Sequence, residues 1–319
     1  MNKFKQRDEV LKARLSSFLR KEGELTVQRI TPIKNHVFYI ESALGKALIL
    51  KSYRKLKVIE QQWHFFEQLQ ASFVIPFIKY PNGKKTITDG NYFWTIAPFV
   101  RGRQLDYQHK KDRITAIKTL HAFHKKANHI YFPNQIKKDL FILRWKHRLA
   151  AFKKTEHVFQ KNGFEMLYKD MVTTMHYYLK TAENLSWDKN EKDANIHGKW
   201  IHGDVASHNF IQNEQTYMID FDLLSCGTQL YDYIQLGQRF LPYINWDLNE
   251  LCSYQMVKDK NQKKWLTSIM IPSDMIREWM FFLSYGSSFA RKQYLSQMEK
   301  TWGKRQFFLK NAKSMLKSL

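Results

Sequence analysis

The 319-residue chain has few cysteines, few acidic residues and no long apolar run. Its two cysteines, Cys226 and Cys252, are too few for the disulfide framework of a small secreted protein, and they lack the CxxC spacing of a zinc site. We therefore expect synthesis in a reducing compartment. No window approaches the roughly 18 uninterrupted apolar residues of a membrane-spanning helix. The charged N-terminal residues also lack the apolar core of a signal peptide.

Acidic residues are scarce relative to basic ones. The chain has 29 Asp and Glu against 52 Lys and Arg, which gives a formal net charge of +23 and a pI of about 9.8. The positive electrostatic field of such a charge favours anionic partners. Because the basic residues are spread along the chain, a solvated basic surface explains them most simply, and a nucleic-acid-binding function would rest on charge alone. The 44% hydrophobic content is that of a folded protein.

The chain begins with a predicted amphipathic helix and a β-rich segment. Runs of β-branched and aromatic residues predict three antiparallel strands, and a helical apolar spacing follows them. Further strands are predicted around the Asn82-Gly83 and Asp89-Gly90 turns. The predicted elements are a helix within 1–24, strands at 25–33, 36–42 and 46–53, a helix at 55–70, and strands within 73–80 and 86–100.

After Gly102 the pattern becomes helical, with a hydrophilic stretch at 186–199. The sequence therefore predicts an α+β protein of two lobes, a small antiparallel β-sheet lobe with one long helix and a larger, mostly helical lobe. The predicted divisions are an N-terminal helix (1–24), an N-lobe (25–102, with a hinge at 97–102) and a C-lobe (103–319). Helices are expected at 112–130, 136–160, 164–184, 229–240 and within 273–315.

Polar groups are concentrated in HGDVASHNF (202–210) and IDFD (219–222). Asp204 and Asn209 lie in a predicted loop, and Asp220 lies at the end of the following predicted strand. A hairpin-like path would bring these oxygen donors together, and few such ligands, with waters and phosphates, make a magnesium site. The same groups suit phosphoryl transfer, in which one Asp aligns the attacking hydroxyl while an Asn and a second Asp hold the metal.

Phosphoryl transfer also requires a lysine on a rigid strand, held extended by a carboxylate. The segment ALILK places Lys51 on a predicted strand. The following helix offers Glu60 and Glu67 as the partner of Lys51. We favour Glu60 because it comes early in the helix, and Glu67 remains the alternative.

The motifs HGDVASHN and IDFD, together with ALILK, FVIP and APFVRG, resemble those of the aminoglycoside phosphotransferase and choline kinase-like superfamily, which has a protein kinase-like fold. Within it, DLFILRWKHRLAAF and the basic composition are most similar to CotS-type proteins of bacterial spore coats. The resemblance implies Mg²⁺ and ATP (or GTP) as cofactors. It also implies synthesis in the mother-cell cytoplasm, with deposition in the spore coat and contact with coat proteins.

The resemblance assigns a role to each motif residue. Asp204 in the catalytic loop (202–209) corresponds to the catalytic base, and Asn209 and Asp220 correspond to the metal ligands. Lys51 corresponds to the phosphate-binding lysine, with Glu60 as its partner. Backbone groups of the hinge, represented by Ala97 and Phe99, would pair with the nucleotide base. Two residues are expected to be structural, His202 in the loop and Asp232 in YDY.

One departure from the kinase pattern leaves a second function open. The turn TPIKNH between the first two strands lacks glycine, whereas protein kinases cover the phosphates with a glycine-rich loop. A kinase fold retained as a catalytically weak or inactive structural coat protein is therefore the alternative to an enzyme acting on a hydroxyl-bearing, possibly anionic acceptor. The complete set of five motif residues favours the enzyme.

Overall fold

The computed structural model describes residues 3–136 and 138–318, and these residues form two compact units. The first unit contains the chain up to Gln104 together with Ile130–Ile136 and Asn209–Asp222. The second unit contains the other described residues. The segment carrying the IDFD motif thus folds with the N-terminal β-rich residues, although more than a hundred residues separate them along the chain.

The first unit contains helices α1 (Lys3–Gly23) and α2 (Leu56–Gln68), and strands β1 (Val27–Lys34), β2 (Val37–Ser42), β3 (Ala47–Tyr53), β4 (Ile87–Thr88), β5 (Phe93–Pro98), β6 (Arg103–Gln104), β8 (Phe210–Gln212) and β9 (Thr216–Met218). A five-stranded antiparallel sheet with the order β1-β2-β3-β5-β4 forms the centre of the unit. A second, three-stranded sheet has the order β6-β8-β9. The predicted three-strand meander and the helix after it are confirmed.

The core of the first unit follows from strand alternation. In β3 the side chains of Leu48 and Leu50 are buried, and those of Ile49 and Lys51, which point to the opposite face, are half-buried. Helix α1 covers the buried face with Leu15 and Leu19. Burying one face of the sheet fixes the strand register, because a one-residue slip would exchange the two faces. Lys51 is thereby held on a defined side of β3.

Helices dominate the second unit. Their cores are aromatic, and the predicted stripe of Trp145, Leu149, Phe152 and Phe159 is buried. The helices are α3 (Lys110–Lys126), α4 (Phe141–Lys153), α5 (Glu156–Asn162), α6 (Glu165–Glu183), α7 (Trp187–Ile196), α8 (Leu230–Phe240), α9 (Leu248–Ser253), α10 (Asp259–Ile269), α11 (Ser273–Tyr285) and α12 (Arg291–Ser318), with a short ribbon of β7 (Trp200–Ile201) and β10 (Ser225–Cys226). The α+β class is confirmed.

Three local predictions differ from the structure. The apolar run at 73–80 forms isolated bridges, Val74 to Met218 and Ile78 to Ile96, rather than a strand. The hydrophilic stretch at 186–199 contains helix α7, because burial of Trp187 and Ala194 compensates for its polar composition. Helix α10 was not predicted. In the described residues, no helix has the length and apolarity needed to cross a membrane.

Candidate active site

The first unit brings two lysines, two carboxylates and a phenol into contact. The Nζ atom of Lys51 lies 2.6 Å from Oδ1 of Asp220 and 2.7 Å from Oδ2 of Asp222. The Nζ atom of Lys34 lies 3.4 Å from Oδ2 of Asp220, and the Tyr53 hydroxyl donates to Oδ1 of Asp222 over 3.0 Å. We call these five residues the Lys51 cluster. It joins β1 and β3 to the residues after β9.

Each charged group of the Lys51–Asp220 pair stabilises the charged form of the other. Burial works against ionisation of Asp220, but the ammonium groups of Lys51 and Lys34 outweigh it and lower the pKa of Asp220 to about 2. Burial likewise opposes the charge on Lys51, and the two carboxylates prevail and raise its pKa. Burial and the charge of Asp222 raise the pKa of Tyr53 well above its usual value. At neutral pH Tyr53 is therefore a neutral donor between charged neighbours.

Asp220 has an unusual backbone conformation, and Asn209 lies beside it. Asp220 has φ of +64°, in the left-handed region that most residues other than glycine avoid. It follows the β8–β9 hairpin, in which the Ile219 N–H donates to the Asn209 carbonyl over 3.0 Å. The hairpin therefore places the backbone of Asn209 next to that of Ile219, the residue before Asp220. Strain of this kind persists where the surrounding structure holds a functional group in place.

The predicted Lys51–Glu60 pair is not formed, and Glu67 does not replace it. In α2 the buried positions include Ile59, Gln62 and Trp63, at the i, i+3 and i+4 spacing of one helix face. Glu60 lies outside that face and is exposed, and Glu67 pairs with Lys85. The buried polar residues of α2 are two glutamines, Gln61 and Gln62, and the carboxylate partners of Lys51 come from the segment after β9.

The two residues predicted to contact the base of the nucleotide lie at the end of β5. Ala97 pairs with Ile49 in the β3–β5 ladder. The Phe99 N–H donates to the Ala47 carbonyl over 3.1 Å, so the sheet already uses that donor. The Phe99 ring is 38% exposed and packs edge-on against Tyr39 with the ring centroids 4.9 Å apart. Phe99 can therefore offer its ring and its carbonyl to a base, but its N–H only after leaving Ala47.

Asp204 lies in the second unit, on a loop held by a buried carboxylate. Asp232, which is fully buried in α8, accepts from the N–H groups of His202 (2.8 Å) and Gly203 (2.9 Å). It also lies 2.9 Å from Nε2 of His124. The structural roles expected for His202 and Asp232 are thereby confirmed, since His202 is also fully buried and its Nδ1 accepts from the Asp204 N–H over 3.3 Å.

Gly203 allows the catalytic loop to turn. Its φ of +82° is strained for other residues, and a Cβ atom there would lie 2.4 Å from the Leu223 carbonyl oxygen. The turn leaves the Asp204 side chain 32% exposed, with Oδ1 2.5 Å from an Nη2 donor of Arg239. Burial and the neighbouring charge of Arg277 lower the pKa of Arg239, and the Asp204 carboxylate counters them.

A cavity of about 490 Å³ lies beside this loop within the second unit. It has the size of a small-molecule site. Its charged lining residues are two guanidinium and two carboxylate groups, and aromatic and imidazole groups complete the wall. The lining includes Arg239, Arg277 and Glu278, together with Tyr107, Tyr243 and His208.

The donor chemistry fits a magnesium ion that takes most of its ligands from water and phosphate. Among the described residues, no group of three or more His, Cys, Asp or Glu side chains could hold a metal ion by itself. The amide oxygen of Asn209 and the carboxylate of Asp220 are hard oxygen donors on one hairpin, and Mg²⁺ is usually held by one or two such groups plus substrate phosphates.

Sequence reasoning missed three residues of these two sites. Lys34 and Tyr53 belong to the Lys51 cluster, and Arg239 contacts Asp204. A signal existed for Tyr53, because residues two apart on a strand share a face and Tyr53 is two residues after Lys51. No local pattern indicates Lys34 or Arg239, since their contacts join segments distant in sequence.

Comparison with known proteins identifies the family and the fold. The model of the phosphotransferase enzyme family matches residues 26–248. The comparison with curated proteins gives no match. An aminoglycoside phosphotransferase from Alicyclobacillus acidocaldarius superposes with a TM-score of 0.67 and 16% identity, covering 92% of this chain and 93% of its own.

Two further structures are similar to this chain. A spectinomycin phosphotransferase bound to AMP has a TM-score of 0.63 and 14% identity, covering 90% of this chain and 94% of its own. An amicoumacin kinase in complex with AMP-PNP, Ca²⁺ and Ami has a TM-score of 0.56 and 14% identity, covering 94% of this chain and 96% of its own. These likenesses show the kinase-like aminoglycoside phosphotransferase fold. Since the family model matches most of the chain, the chain belongs to the phosphotransferase enzyme family.

Proposed function

We propose that the protein is a Mg²⁺- and ATP-dependent phosphotransferase that transfers the γ-phosphate to a hydroxyl group of an acceptor. The observation that carries this proposal is the Lys51 cluster, with its strained Asp220. A buried lysine held between two carboxylates is a preorganised cation that can exchange a carboxylate for phosphate oxygens. Similar structures are named with AMP, ADP or AMP-PNP, and others with GDP, which supports a nucleoside triphosphate, ATP or GTP, as the phosphate donor.

Each residue of the proposed nucleotide site has a distinct task. Lys51 contacts phosphate oxygens and offsets their charge, and Asn209 and Asp220 hold the magnesium ion. The ion supplies further neutralisation of phosphate charge when bound. The low pKa of Asp220 keeps its carboxylate ionised at neutral pH, as a metal ligand must be. Ala97 and Phe99 border the base, the latter through its ring and carbonyl.

Asp204 acts on the acceptor. Its carboxylate orients the attacking hydroxyl and accepts its proton, the role of the corresponding Asp in phosphoryl transfer. The contact with Arg239 fixes one carboxylate oxygen, and hydrogen bonds from His202 and Gly203 to Asp232 fix the loop. A positioned base of this kind typically contributes about 10²–10⁴-fold in rate.

The acceptor is proposed to be a hydroxyl compound that also carries an anionic group. The cavity beside the catalytic loop contains Arg239 and Arg277. Arg239 uses one terminal nitrogen for Asp204, and Arg277 uses Nε and Nη2 for Glu278. Guanidinium groups bind carboxylate or phosphate through paired donors. An anionic acceptor would also be attracted by the net charge of +23.

Calorimetric titration with AMP-PNP, with and without Mg²⁺, tests the nucleotide site. We expect Mg²⁺-dependent binding that Asp220→Ala abolishes and that Asp204→Asn retains. Glu214→Gln is the control, because Glu214 is exposed and belongs to neither site. No binding at millimolar nucleotide would favour the structural coat protein instead.

Transfer is tested separately with [γ-³²P]ATP and pooled hydroxyl compounds in anionic and neutral sets. Asp204→Asn should reduce transfer by at least about a hundredfold, following the usual contribution of a general base. An unchanged rate in Asp204→Asn would refute the base assignment. A preference for neutral or cationic acceptors would refute the arginine argument while leaving phosphotransfer intact.

We further propose synthesis in the mother-cell cytoplasm and association with the spore coat. The support is the resemblance of DLFILRWKHRLAAF and of the basic composition to CotS-type proteins. Fractionation of spores from the producing organism, followed by immunodetection in the coat extract, tests this location. Detection in the vegetative cytoplasm alone would refute it.

A further inference from the structure

A second cavity in the helical unit is strongly basic. It has a volume of about 650 Å³ and is lined by residues of the second unit alone. Its charged lining groups are five ammonium groups and one carboxylate. These are Lys189, Lys199, Lys258, Lys260, Lys264 and Asp193. We call this cavity the lysine cavity; none of these residues belongs to the Lys51 cluster or lines the cavity beside Asp204.

The positive charge of the lysine cavity is mostly uncompensated. Asp193, the only carboxylate among the described residues that line the cavity, already lies 2.5 Å from Nζ of Lys199. Among the described residues, the other four lysines form no ion pair with a carboxylate. Burial lowers the pKa of Lys264 and the charge of Lys189 lowers it further, which agrees with crowded like charges. An anion entering the cavity would relieve this repulsion.

The central lysine of the cavity is held in place without a counter-ion. Nζ of Lys264 donates to the Ser186 carbonyl over 3.2 Å and to the Asn190 side chain. It also lies 5.6 Å from the centroid of the Trp187 ring. Lys260 precedes Lys264 by one helical turn of α10, so both project from the same face. Part of the ordering entropy of Lys264 is therefore already lost before a ligand arrives.

We propose that the lysine cavity is a binding site for a small anion with two or more phosphate groups. Four unpaired ammonium groups around one cavity match several phosphates better than one carboxylate. Lysine also binds phosphate as a point charge without the planar geometry that arginine imposes. The volume lies within the range of small-molecule sites. The site does not depend on the proposed transfer reaction.

Titration of the full-length protein with inorganic triphosphate in EDTA tests the proposal. EDTA removes divalent metal, so nucleotide-like binding at Asn209 and Asp220 is disfavoured. We expect a single site whose Kd rises at least tenfold in the double variant Lys260→Gln/Lys264→Gln. The matched control is Lys263→Gln/Lys300→Gln, which removes the same charge from outside the cavity and should change Kd by less than twofold.

Two further variants locate the site and guard against misfolding. Lys189→Gln removes an exposed cavity lysine whose side chain makes no hydrogen bond or ion pair with another described residue, and it should raise Kd about threefold while leaving the Tm unchanged. Lys51→Gln should leave Kd unchanged. If Lys263→Gln/Lys300→Gln raised the Kd for triphosphate as much as Lys260→Gln/Lys264→Gln, binding would reflect general surface charge and a defined site would be refuted. Loss of triphosphate binding in Lys51→Gln, or no binding of the wild type at millimolar triphosphate, would also overturn the proposal.

Discussion

Asp220 combines strain, burial and charge in one residue. Its φ is +64° and its side chain is 24% exposed, and both lysines of the Lys51 cluster contact it. A carboxylate in this setting is stabilised in its charged form. Asp220, one of the two residues proposed to hold metal, thus also pairs with Lys51, the lysine proposed to bind phosphate.

The low pKa of Asp220 predicts a defined pH dependence of stability. Its folded pKa of about 2 lies below its usual value of 3.8, so its stabilising contribution is complete above about pH 4 and is lost between about pH 4 and pH 2. From pH 5 to pH 3 the wild type should lose about 1 kcal/mol more unfolding free energy than Asp220→Asn. Urea unfolding across this range measures the difference. If the unfolding free energies of the wild type and Asp220→Asn fell in parallel with pH, while Glu214→Gln matched the wild type, the low pKa assigned to Asp220 would be contradicted.

The partner of Lys51 can be tested by the cost of removing each carboxylate. Asp222→Asn removes one of the two acids beside a largely buried ammonium, so we expect a loss of about 1 kcal/mol in unfolding free energy. Glu60→Gln changes an exposed group outside the cluster and should cost less than about 0.5 kcal/mol. Urea unfolding at pH 7 compares them. If Glu60→Gln lost more unfolding free energy than Asp222→Asn, the Lys51–Glu60 pair expected from the sequence would be supported instead.

At the scale of elements, the catalytic loop depends on helix α8. Asp232 accepts two loop N–H groups from inside that helix, and Gln235, one turn later, donates to the Gly203 carbonyl over 2.9 Å. The loop before β8 is therefore shaped by a helix that follows it in sequence. This explains why a position remote from Asp204 in the chain is part of its support.

Replacing Asp232 should destabilise the loop and the fold together. Asp232→Asn exchanges one acceptor oxygen for a donor against a buried N–H, with an expected loss of about 2–3 kcal/mol. Asp247→Asn is the control, because the Asp247 carboxylate caps α9 and asparagine caps a helix equally well. Thermal and urea unfolding measure both variants. A cost for Asp232→Asn no larger than that of the control would exclude a supporting role.

At the scale of the molecule, nucleotide binding should couple to stability by mass action. With Mg²⁺ and AMP-PNP at a hundred times Kd, the stabilisation is about 2.7 kcal/mol, or roughly 4 °C in Tm for a chain of this length. Differential scanning fluorimetry measures the shift, and Asp220→Ala should abolish it. If the two units melt separately, only the transition of the unit that carries Lys51 should move. A shift that persists in Asp220→Ala would place the nucleotide elsewhere.

Much of the architecture followed from local patterns. The period-two runs of β1 to β3 and the helical spacing of α2 placed those elements within two residues of their observed bounds. The motifs HGDVASHN and IDFD led to the family that the comparison shows. By contrast, α7 was missed because its polar composition hides the two residues, Trp187 and Ala194, that the fold buries.

The sequence by itself determined the α+β class, the family, and the residue types required for phosphotransfer. Only the tertiary structure decided that Lys51 meets Asp220 and Asp222 rather than Glu60, that Arg239 contacts Asp204, and that lysines from separate segments surround one cavity. The physical reason is that periodicity records which face of an element is buried. Which charged group from a distant segment reaches that face depends on how the whole chain packs.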